Sequence, residues 1–146
     1  MPTYDPNNVF AKILRGEIPA FKVYEDAQAL AFMDAMPQSD GHTLVIPKVE
    51  ARNLFDIAPE ALADLINATQ HVARGVQQAF EPDGMRIIQF NEAAAGQTVF
   101  HIHFHILPCY QGQEIRGHNR DWADKGVLAQ HAEKVRAALA NLPPRQ

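Results

Sequence analysis

Apolar residues recur with two different periods along this 146-residue chain, and each change of period marks the end of an element. Between Pro59 and Phe80, Leu62, Leu65, Ile66, Thr69, Val72 and Val76 return at helical spacing behind a proline suited to a first helical turn. Pro82-Asp83-Gly84 closes that segment, which predicts the main helix. Val9, Phe10, Ile13 and Leu14 predict a short helix over 8–14, closed by Gly16 and Pro19 with Lys12 and Arg15 in its last turns. Val127, Leu128, His131, Val135, Leu139 and Leu142 predict a C-terminal helix that stops at Pro143-Pro144.

The remaining apolar runs are too short for helices and are rich in β-branched and aromatic residues. Phe21–Tyr24, Ala29–Met33, Thr43–Ile46, Met85–Phe90 and Val99–Leu107 therefore predict five strands. Their connections are too short for parallel crossovers, apart from the one carrying the main helix. The expected fold is α+β: an antiparallel sheet of about five strands with one main helix, a short N-terminal helix and a C-terminal helix. With no internal repeat, low-complexity tract or Gly/Ser linker, the chain reads as one domain over residues 1–146.

Composition narrows the partners. At 47% hydrophobic and 21% charged residues, no large disordered segment is expected. A formal net charge of -4 and a pI near 5.9 argue against a broad nucleic-acid footprint, so any nucleotide bound should be small and held locally. The single cysteine, Cys109, cannot form an intrachain disulfide, as a reducing compartment predicts. No N-terminal signal pattern and no apolar run near the ~20 residues of a membrane span are present. The expectation is a soluble, cytoplasmic protein with no membrane partner, in which Cys109 is a small strand-end residue and not a nucleophile.

The densest chemistry lies in Gln97-Thr-Val-Phe-His-Ile-His-Phe-His-Ile-Leu-Pro108. On a strand, a period of two puts His101, His103 and His105 on one face while Phe100, Ile102, Phe104 and Ile106 face the other way. Such a row holds a metal or works on an anionic substrate. One zinc ion cannot easily take all three, because the outer side chains of a straight strand sit about 13 Å apart. His71 and His131, on helices, read as structural or solvated, and His118 lies in a polar loop with Arg116 and Arg120. His42 differs: it opens the apolar run Thr43–Ile46, where a buried imidazole needs a partner.

His101-Ile-His103-Phe-His105-Ile-Leu107, preceded by Gly96-Gln97-Thr98-Val99, resembles the signature of the histidine triad nucleotide hydrolases and transferases. Phe10-Ala-Lys-Ile13, Gly16-Glu-Ile-Pro19, Tyr24-Glu-Asp26, Ala29-Leu-Ala-Phe-Met-Asp34 and His42-Thr-Leu-Val-Ile-Pro-Lys48 follow the same family's order. The resemblance covers about residues 8–110 and leaves an extension over 111–146.

That resemblance implies roles for particular residues. His103 looks like the nucleophile that attacks the α-phosphorus and forms a nucleotidyl-histidine intermediate. His105 looks like the phosphate contact and proton-transfer partner, and His101 and His42 like the groups that orient the triad. Asp34 would bond the ribose hydroxyls, Asn91, Gln97 and Thr98 would surround the phosphate, and Phe10, Ile13, Phe32 and Leu44 would form an apolar slot for the base. Without the resemblance those four apolar residues read as plain core. A homodimer is also implied.

The chemistry has its own logic. An imidazole with an ordinary pKa of about 6.5 is mostly neutral at pH 7 and is a good nucleophile toward phosphorus. Two departures from the family pattern sharpen the expectation. Where many members carry a zinc-binding Cys-x-x-Cys, this chain has Asn8-Val-Phe-Ala11, with Glu50 at the further ligand position, so no structural zinc and no cofactor are expected. Transferase branches end the triad in Gln, whereas His105 stands here and points to hydrolysis. The leading expectation is a nucleotidyl hydrolase acting on a purine nucleotide phosphoramidate or a dinucleoside polyphosphate. A nucleotide-binding interaction protein with incidental hydrolysis and a histidine-chelated metalloenzyme are the alternatives.

Overall fold

The computed structural model describes residues 2–117 and 121–145. Helix α1 (Val9–Leu14) is capped by Asn8, whose side chain accepts from Ala11 N–H and so satisfies one of the first turn's unpaired donors. Strands β1 (Lys22–Glu25), β2 (Ala29–Met33) and β3 (Thr43–Pro47) follow as a meander, then helix α2 (Pro59–Phe80) and strand β4 (Gly84–Ile88). A short 3-10 turn (Ala93–Ala95), strand β5 (Phe104–Cys109) and helix α3 (Lys125–Ala140) complete the order.

The five strands form one sheet in the order β1-β2-β3-β5-β4, and every neighbouring pair is antiparallel. This is the α+β architecture the periodicities predict. Strands β2 and β3 are buried at all five positions because each sheet face is covered. On one face Ala29, Ala31, Met33, Val45 and Ile106 pack against Leu65, Val72 and Val76 of α2 and Leu128, Val135 and Leu139 of α3. On the other, Leu30, Phe32, Leu44 and Ile46 pack under Phe10 and Ile13 of α1. An uninterrupted apolar run is what a strand buried on both sides requires.

The pairing register puts the chemistry on the α1 side. Directly opposed residues share a face, and the register aligns Phe32 with Leu44 and Leu44 with His105. By the period of two, Asp34 and His42 extend that face beyond Phe32 and Leu44. Gly41 leads into it at φ +91, and a Cβ there would lie 2.8 Å from the Phe80 ring. Only glycine meets both conditions.

The last strand is displaced from its expected span. The apolar alternation predicts a strand over Val99–Leu107, but β5 begins at Phe104. Its ladder to β3 ends at Val45 and Phe104, and Pro47, opposite Ile102 in the continued register, has no N–H to offer. Ile102 N–H turns instead to Ala51 O, 2.9 Å away in the loop after β3. Of the three histidines, only His105 sits in the sheet. The alternation of buried faces persists through this irregular run, which is why it reads as a strand.

Candidate active site

Four histidines converge on the α1 face, each nearly or fully buried: His42, His101, His103 and His105. The His103 and His105 rings lie 5.0 Å apart, and those of His42 and His105 lie 5.2 Å apart. Phe10 of α1 stands edge-on to His103 at 4.8 Å, and Phe32 stands edge-on to Phe10 at 5.3 Å. Phe90, leaving β4, approaches His105 at 5.6 Å.

Fixed hydrogen-bond partners determine where the imidazole protons sit. A carbonyl only accepts, and a backbone N–H only donates. His103 Nδ1 lies 2.8 Å from His101 O, so Nδ1 carries the proton and the neutral ring has its lone pair on Nε2. His101 Nε2 lies 2.8 Å from Pro47 O and donates to it, which leaves Nδ1 to accept from the Tyr4 hydroxyl at 2.6 Å. Gln38 N–H donates to His42 Nδ1 at 3.1 Å, so the neutral His42 proton is on Nε2, aimed at His105 Nδ1 3.0 Å away. His105 in turn carries its own proton on Nε2.

Electrostatics follow from burial. His101 is held below the ordinary imidazole range by desolvation, against which its bond to Pro47 O and the charge of Glu50 work in the other direction. Asp34 is buried beside His42, with Oδ1 accepting from Met36 N–H at 2.8 Å and Oδ2 3.5 Å from His42 Nε2. Desolvation pushes its carboxyl up to about 6, the Met36 bond notwithstanding. The Asp34–His42 contact has ion-pair length but is no ion pair. A second proton on His42 would set Nδ1–H against the Gln38 N–H.

The same bonds decide on metals. Among the described residues, Asp34, His42 and His105 bring ligand atoms within 4.8 Å of one another. A ligand nitrogen must offer its lone pair, yet the Gln38 bond keeps His42 Nε2 protonated, so this donor set does not suit an ion. The N-terminal positions do not fit a zinc either: the Asn8 side chain is spent on the α1 cap, and Ala11 has no donor.

Residues 15–112 match the HIT domain family model. The chain belongs to the HIT family. It is 43% identical over 104 residues to Protein hit of Bacillus subtilis, covering 71% of this chain and 72% of that one. To adenylylsulfatase HINT3 of Arabidopsis thaliana it is 35% identical over 144 residues, covering 94% and 72%. A crystal structure of a Hit-like protein from Bartonella henselae superimposes with a TM-score of 0.89 at 50% identity, over 94% of this chain and 99% of that one.

Within this HIT chain the expected site residues fall into two sets. Phe10, Ile13, Phe32, Leu44 and Asp34 join the four histidines on one buried face. Asn91, Gln97 and Thr98 lie in the loop before the histidines, but two of these side chains are committed elsewhere. Gln97 donates to Arg52 O and Val99 O and accepts from Glu92 N–H, while Asn91 accepts from Leu54 N–H and Gln89. Any phosphate contact from 97 must therefore come from its backbone.

Two contributors were not expected. Gln38 fixes the proton position of His42, Tyr4 supplies the donor that His101 Nδ1 accepts from, and neither carries a motif. His71 packs edge-on to Tyr24 and His131 to Phe80, in agreement with a structural role. His118 lies outside the described residues. Cys109 is the half-buried end of β5.

Proposed function

We propose that this HIT protein is a nucleotidyl hydrolase that cleaves at the α-phosphate of a purine nucleotide through an intermediate on His103. The observation that carries the reading is the bond from His103 Nδ1 to His101 O, which leaves Nε2 as the lone-pair nitrogen. In the first step Nε2 attacks the α-phosphorus, a P–N bond forms, and the leaving group departs with the electron pair of its bond to phosphorus. In the second, water attacks phosphorus, loses its proton to solvent, and the P–N electrons return to Nε2. His105 Nε2–H serves as a hydrogen-bond donor to a phosphoryl oxygen, where developing charge is best met by a preset donor. Phe10, Ile13, Phe32 and Leu44 take the base, Asp34 the ribose hydroxyls, and the 97–98 backbone with Thr98 the phosphate. The Arabidopsis relative, named an adenylylsulfatase, supports cleavage beside an adenylyl phosphate.

The test is a panel of an adenosine 5′-phosphoramidate, a diadenosine polyphosphate and adenylyl sulfate, with AMP as the common product. Turnover of at least one by wild type and its loss in His103→Ala is the expected result. Equal turnover by both proteins contradicts the assignment, and tight binding with no turnover favours a nucleotide-binding interaction protein. A second copy of the chain is the proposed protein partner, supported by the open edge of β4 with its exposed Ile87. Sedimentation at micromolar concentration checks that: a dimer is expected, a monomer contradicts it.

A further inference from the structure

His101, Ile102 and His103 lie ahead of the β5 ladder, so their placement comes from outside the sheet. Ile102 N–H hangs on Ala51 O, and the next two residues of that loop are both held by one carboxylate. Glu92 accepts from Arg52 Nε at 2.8 Å and Nη2 at 2.9 Å, and from Asn53 Nδ2 at 2.6 Å. The Arg52 guanidinium also lies 4.1 Å from the centre of the Phe100 ring, the residue just before His101. Gln97 ties the same parts together: Oε1 accepts from Glu92 N–H at 2.8 Å, and Nε2 donates to Arg52 O at 2.7 Å and Val99 O at 3.1 Å. The irregular histidine segment is thus tied at Val99, Phe100 and Ile102 to a frame whose centre is Glu92.

Glu92 occupies that centre at a backbone cost. Its φ of 74° and ψ of 158° fall in a region populated almost only by glycine. A side chain stays there only where surrounding contacts over-determine it, and such residues concentrate at functional sites. Glycine would adopt the same backbone freely but would make none of the three carboxylate contacts. The Arg52 bonds also hold the Glu92 carboxyl below its ordinary range.

We propose that Glu92 is a positioning residue for the HIT site: by holding Arg52 and Asn53, it fixes the Ala51 carbonyl and the Gln97–Val99 turn and so sets where His103 stands. The consequence for catalysis rests on His103 being the nucleophile, whereas the consequence for geometry does not. Two variants separate them. E92G relieves the backbone and removes the carboxylate, and E92Q keeps an accepting oxygen but loses the charge-assisted bonds to Arg52.

The first readout is the imidazole nitrogen spectrum of ligand-free protein, which reports the tautomer of each histidine, together with amide exchange at Ile102. In E92G the single Nδ1–H form of His103 is expected to give way to a mixture, with faster exchange at Ile102 and E92Q in between. The second is turnover of a nucleoside phosphoramidate: kcat is expected to fall at least about tenfold in E92G with a much smaller change in KM. Wild-type imidazole spectra and Ile102 exchange in E92G overturn the proposal. If wild type turns over no nucleotide, the assignment of His103 fails, and the spectra still decide the role of Glu92. If E92G does not fold, E92Q decides by the same spectra.

Discussion

His42 Nε2 lies 3.0 Å from His105 Nδ1, and the backbone N–H of Gln38 on the far side of His42 gives that contact a direction. The proton belongs to His42, and His105 accepts it on one edge while offering its own N–H from the other. His42→Ala removes the donor that holds the His105 proton on Nε2. Imidazole nitrogen spectra should show a mixture at His105, and kcat should fall about 10- to 100-fold, as expected for a misplaced site donor. An unchanged His105 spectrum would mean that some other group sets its tautomer.

Asp34 makes stability depend on pH in the direction opposite to a paired carboxylate. Its folded pKa, about 6, lies above the value of 3.8 for an ordinary Asp, so the native state binds the proton more tightly than the unfolded chain. The contribution is fully present below about pH 4 and is lost as pH rises through 6. For a shift of this size, Asp34→Asn should gain up to about 3 kcal/mol relative to wild type between pH 4 and pH 7. Urea unfolding of both proteins at the two pH values measures this, and a constant difference would refute the burial argument.

Tyr4 secures His101 from the N-terminal segment, through a 2.6 Å bond and an edge contact with ring centres 5.6 Å apart. Tyr4→Phe keeps the ring and removes only the hydroxyl. The expected loss is about 1 kcal/mol in urea unfolding, with His101 still protonated on Nε2 through its bond to Pro47 O. Unchanged stability, or a shift of the His101 proton to Nδ1, would contradict this.

These bonds also show how far the chain could be read from its residues. Leu65, Val72 and Val76 announce α2 because a helix on a sheet must bury one stripe, and Leu30, Phe32, Leu44 and Ile46 announce strands because both sheet faces are covered. The start of β5 was hidden, since Phe100 and Ile102 keep the alternation of a strand after the ladder has ended. Tyr4, Gln38 and Glu92 were hidden for another reason. Gln38 acts through its backbone amide, which every non-proline residue has, while Tyr4 and Glu92 act across 97 and about 40 positions of sequence separation. Spacing rules cannot see such partners.

Gly41 links the core to the site. Gly41→Ala would place a Cβ 2.8 Å from the Phe80 ring in a residue at φ +91, immediately before His42. The expected loss is about 2 kcal/mol or more from backbone strain and crowding together. Trimming Phe80 to Leu in the same chain should recover part of the crowding but none of the strain. Thermal unfolding of the single and double variants checks this, and a Gly41→Ala protein as stable as wild type would contradict it.

The proposed chemistry stands on His103 Nε2 as the attacking nitrogen. Its most direct test is rapid acid-free denaturing quench of protein mixed with a nucleoside phosphoramidate, followed by peptide mass spectrometry. A transient adduct of one nucleoside monophosphate is expected on the peptide containing His103, linked through Nε2 by phosphorus-nitrogen coupling and absent from His103→Ala. An adduct on another residue, or full turnover by His103→Ala, would contradict it.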